Sequence, residues 1–269
     1  MKVTGKQKGK IQKVVAFILA MISLAGPCIS AATYIKRGYT RNCIMSIEAS
    51  AKHTKKLPIY CVDTKGQKKV SITFDAAWGD EDAQQILDTL KTNNVRATFF
   101  MVGDWMRKYP DLVKRIAEDG HDVANHSNKH PHVNELSKEA VKTDLMGAHE
   151  EIKKITGKEC FLYRPPYGEY NDTVLDAAKE CNYYTIQWDV DSIDWKGYEA
   201  DVIVKKVLEH KHLGNGSIIL LHNGAKHTAQ ALPDIIKGLK EKGYEIVPIS
   251  ELIYTNNYTL DHEGRQHTT

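Results

Sequence analysis

The stretch that decides the fold is KVSITFD, residues 69–75, together with the segment that follows it. These seven residues predict a β-strand that is apolar in its body and ends in the polar residue Asp75. Residues 80–92 predict a helix, because apolar side chains recur at helical spacing at Ile86, Leu87 and Leu90. A strand joined to a helix of this length is the repeating unit of an α/β protein.

The same unit repeats along the rest of the chain. Further strands are predicted at residues 97–102, 121–126, 161–164, 183–190, 217–222 and 244–249. The helices between them are predicted at residues 110–119, 137–156, 171–181, 200–212 and 228–242. Such alternation implies parallel strands joined by right-handed crossovers. About seven units within about 200 residues favour a (β/α) barrel smaller than the eight-fold one, with an open doubly wound sheet as the alternative.

Polar side chains stand at the carboxyl ends of five predicted strands. They are Asp75, the pair Asn125 and His126, Arg164, the pair Asp189 and Asp191, and His222. In a parallel barrel the carboxyl ends of all strands lie on the one face that carries active sites, so we expect these residues to converge. No glycine-rich loop follows the first strand, which argues against a dinucleotide site.

His126 and His130 are four residues apart. On a helical turn both imidazoles would face the same way, at a spacing that suits a divalent metal. An isolated pair of this kind is more often two surface histidines, but carboxylates expected on the same face favour metal binding here. His132, two residues further on, is expected to be a bystander.

Two loops add polar groups to the expected active face. In the stretch RPPYG, residues 164–168, both prolines lack an N–H, so Tyr167 supplies the first free backbone donor, which suits an oxyanion. Arg164 can hold a carboxylate in a bidentate pair. The stretch DSIDW, residues 191–195, offers an acid to support a histidine and an indole to wall a pocket. Each loop alone is also consistent with an ordinary strand-ending turn.

Five motifs in order resemble those of the polysaccharide deacetylases, the NodB-homology group or carbohydrate esterase family 4. They lie at residues 73–75, 126–130, 164–168, 191–195 and 220–222, and the resemblance covers about residues 57–254. The lead-in LPIY and the first motif DAAWG are similar to the branch found in spore-forming bacteria. The resemblance implies a deformed (β/α) barrel and metal-dependent removal of acetyl groups from N-acetylated sugars.

The resemblance also implies roles for the matching residues. Asp75 is expected to be the general base, oriented by Arg164. His126 and His130 are expected to hold a divalent metal, usually zinc, with cobalt and nickel as alternatives. An amide needs an activated nucleophile, and this set of residues provides for one.

The remaining motifs are expected to complete the chemistry. His222 is the expected general acid that protonates the leaving amine, supported by Asp194. The backbone N–H of Tyr167 is expected to help the metal stabilise the tetrahedral oxyanion that forms during the reaction. Trp195 and Leu220 are expected to enclose the acetyl methyl group, with Tyr167 also in contact with the substrate.

The first motif departs from the family at Ala76, where most members carry a second aspartate that completes the metal site. Two imidazoles and water alone would bind a metal weakly. Asp80 and Asp82 follow the turn and are candidates for the missing ligand, although each is also placed to cap the next helix. Asp80 is the preferred third ligand because it lies nearer the loop tip.

The expected function is therefore that of a metal-dependent hydrolase acting on a cell-wall polysaccharide. Its substrate would be the N-acetylglucosamine of peptidoglycan or a related amino sugar. A chitooligosaccharide deacetylase, an O-acetyl xylan esterase and a non-catalytic glycan-binding relative remain open as alternatives. The protein is taken to be a monomer by default.

Composition and charge exclude other classes. Hydrophobic residues make up 42% of the 269 residues and charged residues 26%, which is ordinary for a globular protein. The formal charge is +3, but five lysines lie within the first 13 residues, well before the first acidic residue, Glu48. Without them 32 basic residues stand against 34 acidic ones. The remainder lacks the net basic charge that favours nucleic-acid binding.

Residues 1–32 have the pattern of an export signal. The five lysines are followed by a stretch without charge, residues 14–35, that has small residues near its end. It predicts a signal peptide or an N-terminal membrane anchor, and Pro27 favours the cleaved signal. Either way the lysines stay in the cytoplasm, and the protein is secreted to the cell wall or anchored to the outer face of the cell membrane. Residues 33–56 are expected to be a linker, and residues 255–269 a disordered polar tail.

Export makes disulfides possible. Cys160 opens a predicted strand and Cys181 closes the following helix, so an antiparallel return would bring the two together. A Cys160–Cys181 bond is therefore the preferred hypothesis, and buried free thiols are the alternative.

Overall fold

The computed structural model describes residues 56–269. The predicted export signal of residues 1–32, and the predicted linker of residues 33–56 except for Lys56, lie outside the described residues. Within residues 56–269 no helix is long and apolar enough to cross a membrane.

The centre of the fold is a sheet of seven parallel strands. The seven are β2 Lys69–Ala76, β3 Thr98–Met101, β4 Asp122–Asn125, β5 Leu162–Tyr163, β6 Tyr184–Thr185, β7 Val190–Asp191 and β8 Ile218–His222. Their order across the sheet is β6-β5-β4-β3-β2-β8-β7, and a short strand β9, Glu245–Ile246, also pairs with β2. The sheet curls into a half-barrel with helices outside, which confirms the predicted deformed (β/α) barrel.

Strand β2 shows how the sequence sets the two faces of this sheet. Successive side chains of a strand point to opposite faces. Val70, Ile72 and Phe74 are buried against the helices on the outer face. The polar residues between them therefore face the inside of the half-barrel, where they end in Asp75, whose Cα lies opposite that of His222 on β8.

Most of the helices cover the outer face of the sheet, whereas the last and shortest packs with the apolar residues of the inner face. They are α1 Ala83–Thr92, α2 Gly103–Lys108, α3 Pro110–Glu118, α4 Lys138–Thr156, α5 Asp172–Glu180, α6 Ala200–Leu208, α7 Thr228–Glu241 and α8 Ile249–Leu252. Helix α4 begins after Ser137, whose hydroxyl accepts the Ala140 N–H, and ends at Gly157 in a left-handed conformation. The sequence predicted both ends of this helix correctly.

The predicted strand at residues 183–190 is wrong, because two strands replace it. Strand β6 lies at one edge of the sheet and β7 at the other. The residues between them cross the open side of the half-barrel, where Ile186 forms a parallel bridge with Ile59. The side chain of Gln187 is buried there and donates to the Gly168 carbonyl. A crossing of this kind depends on partners distant in sequence.

The predicted disordered tail is also wrong. Residues 255–269 contain strands β10 Tyr258–Leu260 and β11 Arg265–Thr268, and β11 pairs with β1 Cys61–Val62 in a second, three-stranded sheet. The fully buried Gln266 holds this segment in place, since its amide group bonds both the N–H and the carbonyl of Tyr254.

The predicted Cys160–Cys181 disulfide is wrong too, since both thiols are free in the structure. The Cys160 thiol is buried and donates to the Leu162 carbonyl. Cys181 caps the end of α5 and is only partly buried. Burial raises the pKa of the Cys160 thiol to about 12, as expected of an inert buried thiol.

Candidate active site

The predicted convergence of strand-end residues is confirmed by a cavity of about 460 Å³ at the carboxyl ends of the parallel strands. It is lined by Asp75, Ala77, Trp78, His126, His130, Tyr167, Gly168, Trp188, Asp191, Trp195, Leu220 and His222. Most of the candidate site residues are therefore in one place, and two of the others, Arg164 and Asp194, stand directly behind it.

Asp75 and Arg164 form a buried ion pair. The Arg164 guanidinium has no exposed surface and donates to Asp75 Oδ1 over 2.7 Å. It also donates to Thr73 Oγ1 and to the Gln187 carbonyl, and it lies 4.1 Å from the centre of the Phe100 ring. Burial alone would raise the pKa of Asp75, but the charge and hydrogen bond of Arg164, together with the neighbouring His126 and His222, outweigh burial and lower that pKa. Asp75 is therefore an ionised carboxylate with a fixed orientation.

His126 is held with one ring nitrogen toward the cavity. Its Nδ1 lies 2.8 Å from the Arg164 carbonyl oxygen, which only accepts hydrogen bonds, so Nδ1 carries the proton. Nε2 is then the nitrogen with a free lone pair, and it lies 3.5 Å from Asp75 Oδ2. Burial lowers the pKa of His126 although the Asp75 charge opposes this, so the imidazole is neutral.

His130 lies beside His126, with 5.0 Å between the ring centres. The predicted helical turn is wrong, because Ser127 and His130 both have positive φ angles, of 75° and 55°. Hydrogen bonds hold this loop: Ser127 Oγ accepts the His130 N–H, and Asp144 accepts the N–H groups of the two residues between. Burial lowers the pKa of His130 to about 4. The neutral imidazoles of His126 and His130 thus lie side by side in the lining of the cavity.

The predicted third metal ligand, Asp80, is not brought to the two histidines. Asp80 is not among the residues that line the cavity, and its carbonyl accepts the Ala83 N–H at the start of α1. The loop turns away because the preceding carbonyl, that of Gly79, is fixed by hydrogen bonds from Trp105 Nε1 and Asn223 Nδ2. Within residues 56–269 no group of three histidine, cysteine or acidic side chains is arranged to hold a metal ion.

Asp82, the other candidate, has a different task. Its side chain makes no capping bond to α1, and its Oδ1 accepts the Gly224 N–H over 2.7 Å. It therefore ties the loop after β2 to the loop after β8. Ala76 is fully buried and has no donor atom in its side chain.

His222 and Asp194 form the second charged pair. His222 Nδ1 lies 2.7 Å from Asp194 Oδ1, and the fully buried Asp194 also accepts the His222 N–H and the Thr228 hydroxyl. Burial lowers the pKa of His222, but the hydrogen bond and charge of Asp194 outweigh it, so the pKa is raised. Since Nδ1 is occupied, Nε2 is the ring nitrogen left for a ligand.

Tyr167 stands at the mouth of the cavity in a left-handed conformation with φ of 58°. The residue is 56% exposed, and its ring packs between two imidazoles, with its centre 4.5 Å from that of His130 and 4.4 Å from that of His132. His132, predicted to be a bystander, stacks on this ring, and its Nδ1 lies 2.9 Å from Glu169 Oε1. His132 therefore supports the Tyr167 ring.

Trp195 and Leu220 line the cavity, where the resemblance places its methyl pocket. Trp78 and Trp188 also line it and were not predicted to contact substrate. Trp78 lies three residues after the strand-end residue Asp75, and Trp188 lies within the predicted strand of residues 183–190, so neither carried a separate signal in the sequence. Asp189 does not reach this face, because its carboxylate accepts the N–H of Ile218 at the opposite end of β8.

A barrel with an ionised carboxylate, two neutral imidazoles and an acid-paired histidine in one cavity has the architecture of a (β/α)-barrel enzyme. Comparison with known proteins gives the same class. Residues 62–186 match the family model described as polysaccharide deacetylase. The chain belongs to the polysaccharide deacetylase family, so the predicted assignment to this class of enzymes is confirmed.

Two curated relatives and one solved structure show how close the similarity is. A peptidoglycan-N-acetylglucosamine deacetylase of Bacillus cereus is 36% identical over 192 residues, which are 70% of this chain and 69% of the relative. The peptidoglycan-N-acetylmuramic acid deacetylase PdaA of Bacillus subtilis is 34% identical over 209 residues, 75% of this chain and 77% of the relative. The structure of a CE4 family pseudoenzyme from Bacillus anthracis superposes with a TM-score of 0.70 at 35% identity, covering 74% of this chain and 69% of that one.

Proposed function

We propose that this protein is a metal-dependent hydrolase that removes N-acetyl groups from a cell-wall polysaccharide, with an amino sugar of peptidoglycan as its substrate. The observation that carries the proposal is the cavity that holds Asp75, His126, His130 and His222 together. The names of the curated relatives, which are peptidoglycan deacetylases, support the choice of glycan.

His126 and His130 would hold the divalent metal, with zinc as the expected ion. Their donor atoms fit, because the His126 Nδ1 proton is committed to the Arg164 carbonyl and both imidazoles are kept neutral by burial. When bound, a divalent metal polarises a carbonyl oxygen and lowers the pKa of a bound water molecule. Ala76 supplies no ligand and Asp80 does not line the cavity, so the protein offers the metal two imidazoles, with the Asp75 carboxylate beside them as the base.

Asp75 would act as the general base. Its carboxylate is ionised and held by Arg164, so Oδ2 is available to take a proton from the attacking water. The water oxygen forms a bond to the acetamide carbonyl carbon, and the carbonyl oxygen takes up the displaced electron pair. The Tyr167 N–H would stabilise that developing negative charge.

His222 would act as the general acid. Its raised pKa keeps a share of the imidazole protonated near neutral pH, and its Nε2 proton would pass to the sugar nitrogen as the C–N bond breaks. The products are acetate and the free amine. Trp195 and Leu220 would enclose the acetyl methyl group in the same cavity.

Ala76 favours a second candidate, a glycan-binding protein that has lost catalysis. A buried alanine stands where most family members supply a metal ligand, and one structural neighbour is described as a pseudoenzyme. The ionised Asp75 and the complete His222–Asp194 pair argue against it, because a binding protein has no need of them.

Acetate release tests the proposal. The purified full chain is incubated with N-acetylated peptidoglycan and with chitin oligomers, with zinc, cobalt or nickel supplied, and acetate is measured enzymatically. We expect metal-dependent release that is lost in Asp75→Asn. Absence of release from folded protein with every metal, together with glycan binding, would identify the non-catalytic candidate.

We also propose that the protein acts outside the cytoplasm. The lysine-rich start and the uncharged stretch of residues 14–35 support this location. Cell fractionation and amino-terminal sequencing of the mature protein test it. A cleaved chain in the wall fraction or an intact one in the membrane fraction agrees with export, and recovery in the cytoplasm contradicts it.

A further inference from the structure

Trp78 is an exposed aromatic residue at the mouth of the cavity. It lies two residues after the end of β2, and 55% of its surface is exposed. The centre of its indole lies 6.1 Å from that of His130 and 6.0 Å from that of His222. The ring therefore lies near both the proposed metal ligand His130 and the proposed general acid His222.

The loop that carries Trp78 is fixed on two sides. The carbonyl of the next residue, Gly79, accepts hydrogen bonds from Trp105 Nε1 over 3.0 Å and from Asn223 Nδ2 over 2.9 Å. Asp82 Oδ1 accepts the Gly224 N–H a few residues later. The indole is thus held at the mouth of the cavity by built-in contacts.

Exposed rings are concentrated at this mouth. Five large hydrophobic side chains are exposed within residues 56–269, and three of them, Trp78, Tyr167 and Trp195, line this cavity. Rings left in water around a concave site mark the place where a ligand with apolar surface binds. A pyranose ring has such a surface in its C–H face, and its hydroxyl groups remain in solvent when that face is covered.

We propose that Trp78 is a substrate-binding residue whose indole stacks on the sugar ring that carries the scissile N-acetyl group. The inference rests on the proposed function, and it names the part of the substrate that the first-motif loop recognises. The acetyl group enters the cavity between the histidines, while the ring stays at the mouth against Trp78. Substrate recognition by this loop therefore depends on an aromatic face.

The test separates binding from chemistry through the kinetics of Trp78→Ala and Trp78→Phe on an N-acetylated chitin tetramer. In Trp78→Ala we expect KM to rise about tenfold and kcat to change less than threefold, because a stacking contact with the sugar ring is lost. Trp78→Phe should restore most of the affinity. Phe161→Ala is the matched control, since it removes an exposed ring that does not line this cavity. A KM that stays at the wild-type value in Trp78→Ala, with kcat reduced, overturns the proposal and assigns Trp78 to shielding the histidines.

A binding measurement keeps this inference separate from the proposed function. Calorimetric titration of the tetramer into Asp75→Asn and into Asp75→Asn with Trp78→Ala needs no turnover. We expect the second variant to bind about tenfold more weakly. If the wild-type chain releases no acetate but this difference is found, the proposed function fails and the role of Trp78 stands. Equal affinities, or no binding of the tetramer to either variant, contradict that role.

Discussion

The buried pair of Asp75 and Arg164 allows a quantitative test of how the site is built. Arg164→Met removes three hydrogen bonds, to Asp75, Thr73 and the Gln187 carbonyl, and leaves the Asp75 carboxylate buried without a partner. Breaking one partner out of a buried pair costs about 3–5 kcal/mol. We therefore expect Arg164→Met to lower the free energy of unfolding by that amount at pH 7.

Urea unfolding of a double-mutant cycle measures the pairing itself. The double variant Arg164→Met with Asp75→Asn no longer buries an unpaired charge. Its loss of unfolding free energy should therefore be smaller than the sum of the losses in the two single variants, by at least ~2 kcal/mol. The control is Arg96→Met, which breaks the exposed pair with Glu251 and should cost less than ~1 kcal/mol. Single costs that add to within about 0.5 kcal/mol would refute this account of the pair.

The pH dependence of the same variants has a definite sign. In the native protein the pKa of Asp75 is lowered, so its pairing stabilises the fold above the unfolded pKa, and this contribution is lost as the pH falls through the folded value. Without Arg164, burial raises that pKa instead. The cost of Arg164→Met should therefore be smaller at pH 4 than at pH 7. An equal cost at pH 4 and pH 7 would contradict the conclusion that Asp75 is an ionised carboxylate paired with Arg164.

Three further predictions concern other parts of the fold. Asp194→Asn should move the alkaline limb of the pH–rate profile to lower pH, because the carboxylate raises the pKa of His222; an unmoved limb would contradict its role. Gly147→Ala should lower the thermal midpoint, because the added Cβ would lie 2.7 Å from Asn128 Nδ2. This is expected although alanine stabilises a helix by ~1 kcal/mol relative to glycine. A raised midpoint would show that the loop carrying Asn128 adapts. Truncation after Tyr254 should lower the urea midpoint, since two hydrogen bonds to its backbone are lost, and an unchanged midpoint would mean that the tail does not contribute to stability.

The strands and the residues at their ends could be predicted from the sequence because the signals are local. An apolar run that ends in Asp75 or His222 is visible in a few residues, and parallel topology then brings the carboxyl ends together. The same local view found both ends of helix α4.

Features that depend on distant partners could not be predicted. The break between β6 and β7 requires the bridge from Ile186 to Ile59 across the open barrel. The tail is ordered by Gln266 against Tyr254, a contact that composition does not reveal. The direction of Asp80 is set by hydrogen bonds to the carbonyl before it, which come from helix α2 and from the loop after β8.

The most decisive test of the proposed metal site is a zinc titration of the full chain by calorimetry, with His126→Ala, His130→Ala and Asp80→Ala as variants. We expect one zinc site per chain that is lost in either histidine variant and keeps its affinity in Asp80→Ala. Zinc affinity that survives in both histidine variants, or that is lost in Asp80→Ala, would contradict it.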